Sequence, residues 1–106
     1  MYLSIHLNAD SSTTWKGAQV FFDDVNENNE KLAKILQETF KKNLNTNREY
    51  KQIHNQYMYK RINRLGVLVE VGFISNPNER YLLQKEDYQI KIAKTITEGI
   101  NEYFTF

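Results

Sequence analysis

Apolar and polar positions alternate from Tyr2 to His6, with Leu3 and Ile5 on one side and Tyr2, Ser4 and His6 on the other, which predicts a strand. From Asp10 to Gly17 the chain is mostly polar: Ser11, Ser12, Thr13 and Thr14 run together, and Trp15 is the single large apolar side chain. No periodicity supports regular structure there, so the segment reads as a loop. Ala18 to Phe22 reads as a second short strand, followed by the turn-forming Asp23, Asp24, Val25 and Asn26.

The period then changes. From Glu27 to Leu44 the apolar residues Leu32, Ile35, Leu36, Phe40 and Leu44 recur at helical spacing and predict an amphipathic helix. Glu27 and Glu30 near its start and Lys41 and Lys42 near its end complement the helix dipole, and Asn26 stands where the first turn would be capped. A polar stretch, 45–55, leads to a short helix expected around Tyr57 to Ile62. Val67 to Val71 is apolar except for Glu70, the pattern of a strand covered on both faces. Pro77 closes the next loop, and two helices are expected to finish the chain, Glu79 to Gln84 and Asp87 to Phe104. The second carries Tyr88, Ile92, Ile96, Ile100 and Tyr103 on one stripe. Strands alternating with helices make the expected fold class α/β, a mostly parallel sheet with helices on both faces. Three strands are few for such a fold, so the sheet reads as one whose N-terminal strands are missing.

Composition narrows the picture. With 106 residues and one proline the chain has room for one domain, and 41% hydrophobic with 25% charged residues suits a small packed core. The net charge of +1 comes from cations interspersed with acids, so no basic tract points to nucleic acid. No apolar run approaches the roughly 20 residues of a membrane span, and no secretion signal opens the chain. Without cysteine, any metal must be held by His, Asp or Glu.

Two residues stand out chemically. Glu70, flanked by Val67, Leu68, Val69 and Val71, loses hydration on folding, which raises a carboxyl pKa and suits it to acid/base catalysis; an arginine partner would instead make it structural. His6, on the polar side of its strand, offers the commonest zinc ligand, or a hydrogen-bonded structural imidazole. His54, in an Asn-rich stretch, reads as a surface residue. Tyr57, Tyr59, Tyr81, Phe21 and Phe22 read first as packing residues.

Ser4-Ile5-His6-Leu7-Asn8-Ala9 resembles the Ser-x-His-x-Asn-Ala motif of the zinc-dependent N-acetylmuramoyl-L-alanine amidases. Val67 to Pro77, VLVEVGFISNP, resembles the second motif of that family, whose Glu is catalytic. Gly17-Ala18-Gln19-Val20-Phe21, Tyr88-Gln89 and Gly99-Ile100 match in the same order. Trp15, with the run Asn45-Thr46-Asn47-Arg48, most resembles the sporulation branch, whose members trim peptide stems in spore cortex. The resemblance implies that residues 1–106 are the C-terminal part of a single amidase catalytic domain, with Glu70 as the catalytic carboxylate and His6 as the third ligand of a zinc cofactor. The family's other two ligands are a His and a Glu from segments before the Ser-x-His motif, and only five residues precede His6 here.

The implied activity is hydrolysis of the amide between N-acetylmuramic acid and L-alanine in peptidoglycan, in the cell wall, outside the cell or in the forespore envelope. This chain is expected to be inactive alone. The alternatives are a non-catalytic remnant that binds peptidoglycan or regulates, and a purely structural α/β domain. His6 and Glu70 are expected at neighbouring strand ends, converging on one open cleft. Absent strand neighbours would expose a sheet edge, so the chain is expected to self-associate through it. Asn8 and Asn76 could orient the loops or contact substrate, but local turn bonding is at least as good a reading, and both stay outside the catalytic set.

Overall fold

In a computed structural model, which describes residues 1–9, 11–53 and 64–105, the apolar stripes meet across one sheet. His54 and the short helix expected over Tyr57 to Ile62 lie outside the described residues. The elements are β1 (Tyr2–Asn8), β2 (Gln19–Phe22), α1 (Asn29–Asn43), β3 (Lys51–Gln52), β4 (Gly66–Phe73), α2 (Pro77–Leu83) and α3 (Glu86–Phe104). The sheet order is β1-β4-β2-β3. β1 runs parallel to β4 and β2 parallel to β3, while β2 and β4 are antiparallel, so the α/β fold with a mostly parallel sheet is what forms.

One face of the sheet is dry. Val20 and Phe22 of β2 and Val67, Val69 and Val71 of β4 pack against Leu32, Ala33, Leu36 and Phe40 of α1 and Ile92 and Ile96 of α3. Fully burying side chains of this size contributes about 1.5–3 kcal/mol each. At the crossing of the two long helices, a Cβ on Gly99 would stand 2.6 Å from Cδ2 of the fully buried Leu36. Gly99→Val is therefore expected to overpack the crossing and cost about 1–3 kcal/mol in urea denaturation. Gly99→Ala should cost less, because its gain in helix propensity, about 1 kcal/mol, offsets the smaller overlap.

Two polar side chains complete this core. Among the described residues β3 pairs with β2 at Phe21 and Phe22, and the amide of Val20 and the carbonyl of Ala18 meet no strand on that edge. Gln37 of α1 bonds both, accepting from Val20 N at 2.8 Å and donating to Ala18 O at 3.1 Å. Asn29, also buried, donates to Asp23 O and accepts from Gly66 N, tying the exit of β2 to the entry of β4. Asn26 does not cap α1 directly. The helix starts at Asn29, two residues later than expected, and Asn26 bonds the turn before it, taking Asn28 N on its side chain and Asn29 N on its carbonyl.

β1 forms one edge of the sheet. Side chains of in-register parallel partners share a face, so Ile5, opposite Val69, points to the same side as the core. Ile5 is nevertheless 57% exposed, and Leu7 55%, because the described helices do not extend over them.

Candidate active site

The other face of the sheet carries the chemistry. His6 on β1 is the cross-strand partner of Glu70 on β4, and Gln19 on β2 is Glu70's partner on its other side. Parallel register and alternation thus bring the two residues singled out in the sequence side by side, at the C-terminal ends of adjacent parallel strands. Ser4 Oγ lies 2.8 Å from His6 Nε2. Glu70 is half-buried, and its Oε2 is shielded from solvent without a hydrogen-bond partner. Burial pushes the Glu70 carboxyl above the usual carboxylate range, and the neighbouring His6 acts in the opposite direction. The arginine pairing that would make Glu70 structural is not found among the described residues, whose ion pairs are Lys41–Glu49 and Lys42–Glu98.

The backbone around Glu70 is held closely. The loop before β2 passes directly over β4, where a Cβ on Gly17 would come within 3.0 Å of Glu70 O and 3.2 Å of Gly72 Cα. Any side chain there would push the β4 backbone back by a few tenths of an ångström, so glycine suits this close approach. Buried Glu79 of α2 fixes the same junction from below: its Oε1 accepts from Gly17 N and from Phe73 N, each at 2.9 Å. Asn76 caps α2, its side chain accepting from Asn78 N and Glu79 N, and so aims Glu79. Asn8 accepts from Ala9 N. Both asparagines make the local bonds expected of them.

A β-bulge follows Glu70. His6 pairs with Glu70 but Leu7 pairs with Gly72, so Val71 is the extra residue, and Phe73 comes opposite Asn8. Simple alternation would put residues 70 and 73 on opposite faces; the bulge returns Phe73 to the face of His6 and Glu70. There Trp15 meets the Phe73 ring edge-on, with centroids 6.1 Å apart. The Arg48 guanidinium lies over both rings, 5.3 Å from the Trp15 centroid and 5.7 Å from that of Phe73, and its Nε donates to Lys16 O at 3.0 Å. Sequence reasoning noted Trp15 and Arg48 only as branch markers and passed over Glu79. The available signal was a lone tryptophan in a run of Ser and Thr, an apolar surface with no periodicity to bury it.

Catalytic zinc typically takes three protein ligands. Among the described residues no group of three or more His, Asp or Glu side chains is gathered for a metal. His6 is a suitable imidazole donor and Glu70 a carboxylate beside it, but these residues alone do not close a zinc site.

The α/β sheet that carries this face is shared with solved N-acetylmuramoyl-L-alanine amidases. Residues 1–102 match the family model described as N-acetylmuramoyl-L-alanine amidase, and the chain belongs to that family. It is 48% identical over 106 residues to the germination-specific N-acetylmuramoyl-L-alanine amidase of Bacillus subtilis (strain 168), covering 99% of this chain and 45% of that protein. It is 30% identical to the N-acetylmuramoyl-L-alanine amidase LytC of the same organism, covering 98% of this chain and 21% of that protein. Among solved structures, the CwlD amidase from Clostridioides difficile in complex with the GerS lipoprotein superimposes with a TM-score of 0.90 at 41% identity. That match covers 95% of this chain and 52% of the CwlD chain. The chain therefore spans about half the length, or less, of these relatives.

Proposed function

We propose that the protein carrying this chain hydrolyses the amide between N-acetylmuramic acid and L-alanine in peptidoglycan, with Glu70 as the general acid and base and His6 as one ligand of a zinc ion. The observation that carries the reading is Glu70 Oε2, shielded, unpartnered and set beside His6 on the face opposite the core. A carboxylate that has lost hydration without gaining a hydrogen bond is a better proton acceptor than one in water. It takes a proton from the attacking water and returns one to the departing amine of L-alanine, which leaves poorly as an anion. Gln19, on the other flank of Glu70, donates from Nε2 to Glu49 O, which holds it in place along that side of the carboxylate. Zinc, when bound, supplies a Lewis acid for the lactyl carbonyl and an acidified water. Besides His6 it needs two further ligands, which the described residues do not supply.

The expected result is that the 106-residue chain with added zinc releases no stem peptide from spore-cortex peptidoglycan. A polypeptide that also carries the upstream His and Glu releases it in a zinc-dependent way. Turnover by the isolated chain would overturn the ligand count, and inactivity of the longer polypeptide would overturn the amidase reading. The competing reading, a non-catalytic peptidoglycan-binding or regulatory remnant, draws on the lack of a three-ligand group among the described residues. It predicts cortex binding without turnover in both forms.

The germination-specific name of one relative and the cell wall amidase name of another support action in the spore cortex or the cell wall. No described helix is long and apolar enough to cross a membrane. The apolar edge at Ile5 and Leu7 supports self-association of the isolated chain. Light scattering should show mass rising with concentration, and Leu7→Lys should suppress the rise; a monomer of constant mass would remove this part of the proposal.

A further inference from the structure

We propose that Arg48, held by Trp15 and Phe73, is a receptor for a carboxylate on the peptide side of the substrate, so that the site prefers a free acid to its amide. This rests on the amidase reading above and adds a specificity determinant to it.

The guanidinium is built in rather than dangling. Two aromatic rings lie against it, and Nε is committed to Lys16 O, which leaves both terminal amino groups without a partner among the described residues. No acidic side chain pairs with Arg48 among those residues. A planar guanidinium fixed by stacking and one backbone bond has little orientational freedom left to lose, and its two outer nitrogens match a carboxylate in a two-bond fork. Partial removal from water by the rings strengthens such a pair, while the half-exposed Trp15 leaves the approach open.

Position selects which carboxylate. Phe73 shares the face of Glu70, and because the bulge pairs it with Asn8 as Glu70 is paired with His6, it lies two register steps further along, about 7 Å at roughly 3.3 Å per strand residue. In a peptide attached through the scissile amide, the second residue's Cα lies two steps of about 3.8 Å from that of the acyl carbon's neighbour, and its carboxylates lie one short side chain further. Two such steps, about 7.6 Å, are comparable to the spacing of Glu70 and Phe73 along the strand, and the second residue's side-chain carboxylate extends from there toward the guanidinium over the Phe73 ring. The loop that carries Trp15 also presses Gly17 onto Glu70 O, so this receptor and the catalytic carboxylate rest on one backbone junction.

The test compares two substrates in the full-length protein: an N-acylmuramyl peptide whose second residue is glutamate with free carboxylates, and the same compound as the diamide. Arg48→Met keeps an apolar stem against the rings and removes the fork. It should lower the acid-to-diamide ratio of kcat/KM roughly ten- to hundredfold, the range for a charged hydrogen-bonded contact, with the change in KM. Arg48→Lys should recover only part of the ratio, because it restores charge without the planar fork. Trp15→Leu, which loosens the guanidinium without touching it, should move the ratio in the same direction by less. A ratio within twofold of the parent in all three variants overturns the proposal, as does an equal loss on both substrates. Calorimetric titration of the same two ligands into the Glu70→Gln protein separates this idea from the amidase reading. Preference for the acid, lost on adding Arg48→Met, supports the receptor even where no turnover occurs; equal affinity for acid and diamide refutes it even where the amidase is active.

Discussion

Glu70→Gln in the zinc-loaded, full-length protein is expected to lower stem-peptide release roughly 10²- to 10⁴-fold, the usual worth of a positioned general acid and base. Zinc content should stay near that of the parent, because the amide fills the same space and His6 is untouched. A second readout separates a catalytic role from a structural one. In the metal-free protein Glu70 keeps an oxygen shielded without a partner, and a neutral amide is cheaper to hold there than a carboxylate. The variant should therefore be more stable, by about 1 kcal/mol, the lower end of what a desolvated, unsatisfied polar group costs. Loss of stability together with retained turnover would assign Glu70 to the scaffold and leave the reaction without its base.

The second large effect belongs to Glu79, which touches nothing that reacts. One of its oxygens satisfies two backbone amides, Gly17 N in the loop over the sheet and Phe73 N at the end of β4. Glu79→Ala orphans both in a buried junction, at about 1–3 kcal/mol each. A loss of about 3 kcal/mol is a large share of the 5–15 kcal/mol typical of a domain's whole stability. It should lower the thermal midpoint by more than 10 °C at roughly 4–8 °C per kcal/mol for a domain of this size. Glu79→Gln keeps an oxygen in place and should recover most of the loss. If the Gln variant is as unstable as the Ala variant, the charge rather than the two accepted bonds holds the junction. Turnover should fall with Glu79→Ala even below its melting transition, because the same two amides fix the backbone on either side of Glu70.

What the sequence disclosed follows from periodicity. Alternation located β1, a short run closed by turn-forming residues located β2, the 3.6-residue stripe located α1 and α3, and the apolar run around Glu70 located β4. The polar side assigned to His6 and the odd carboxylate in an apolar strand then met as cross-strand partners. The rest lies in contacts that no local pattern encodes. β3 is two residues within a polar stretch and exists through its pairing with β2. Gln37 and Asn29 fall on the buried side of α1, where amides among leucines could have announced their bonds to strand backbone. The bulge at Val71 breaks the period of two just where alternation would otherwise mislead about Phe73. Trp15 and Arg48 belong to separate loops, and their contact depends on how those loops close over the sheet.

The pairing of β1 with β4 also sets when the site can exist. It joins Tyr2 to Gly66 and Asn8 to Phe73, so the first strand of the chain waits for a partner that most of the sequence precedes. A hairpin closes in microseconds; here the entropy of a long intervening chain is lost before any bond between the two strands compensates it. β2, α1 and β4 share the buried core, whereas β1 touches it mainly through Leu3, so the core can assemble while β1 is still loose. In pulse-labelled hydrogen exchange the amides of β4 that face β2 should gain protection before those of β1. On partial opening of the native state, β1 should exchange first. Glu70 is then placed early and His6 late, and the step that completes folding is the one that brings the imidazole to the carboxylate.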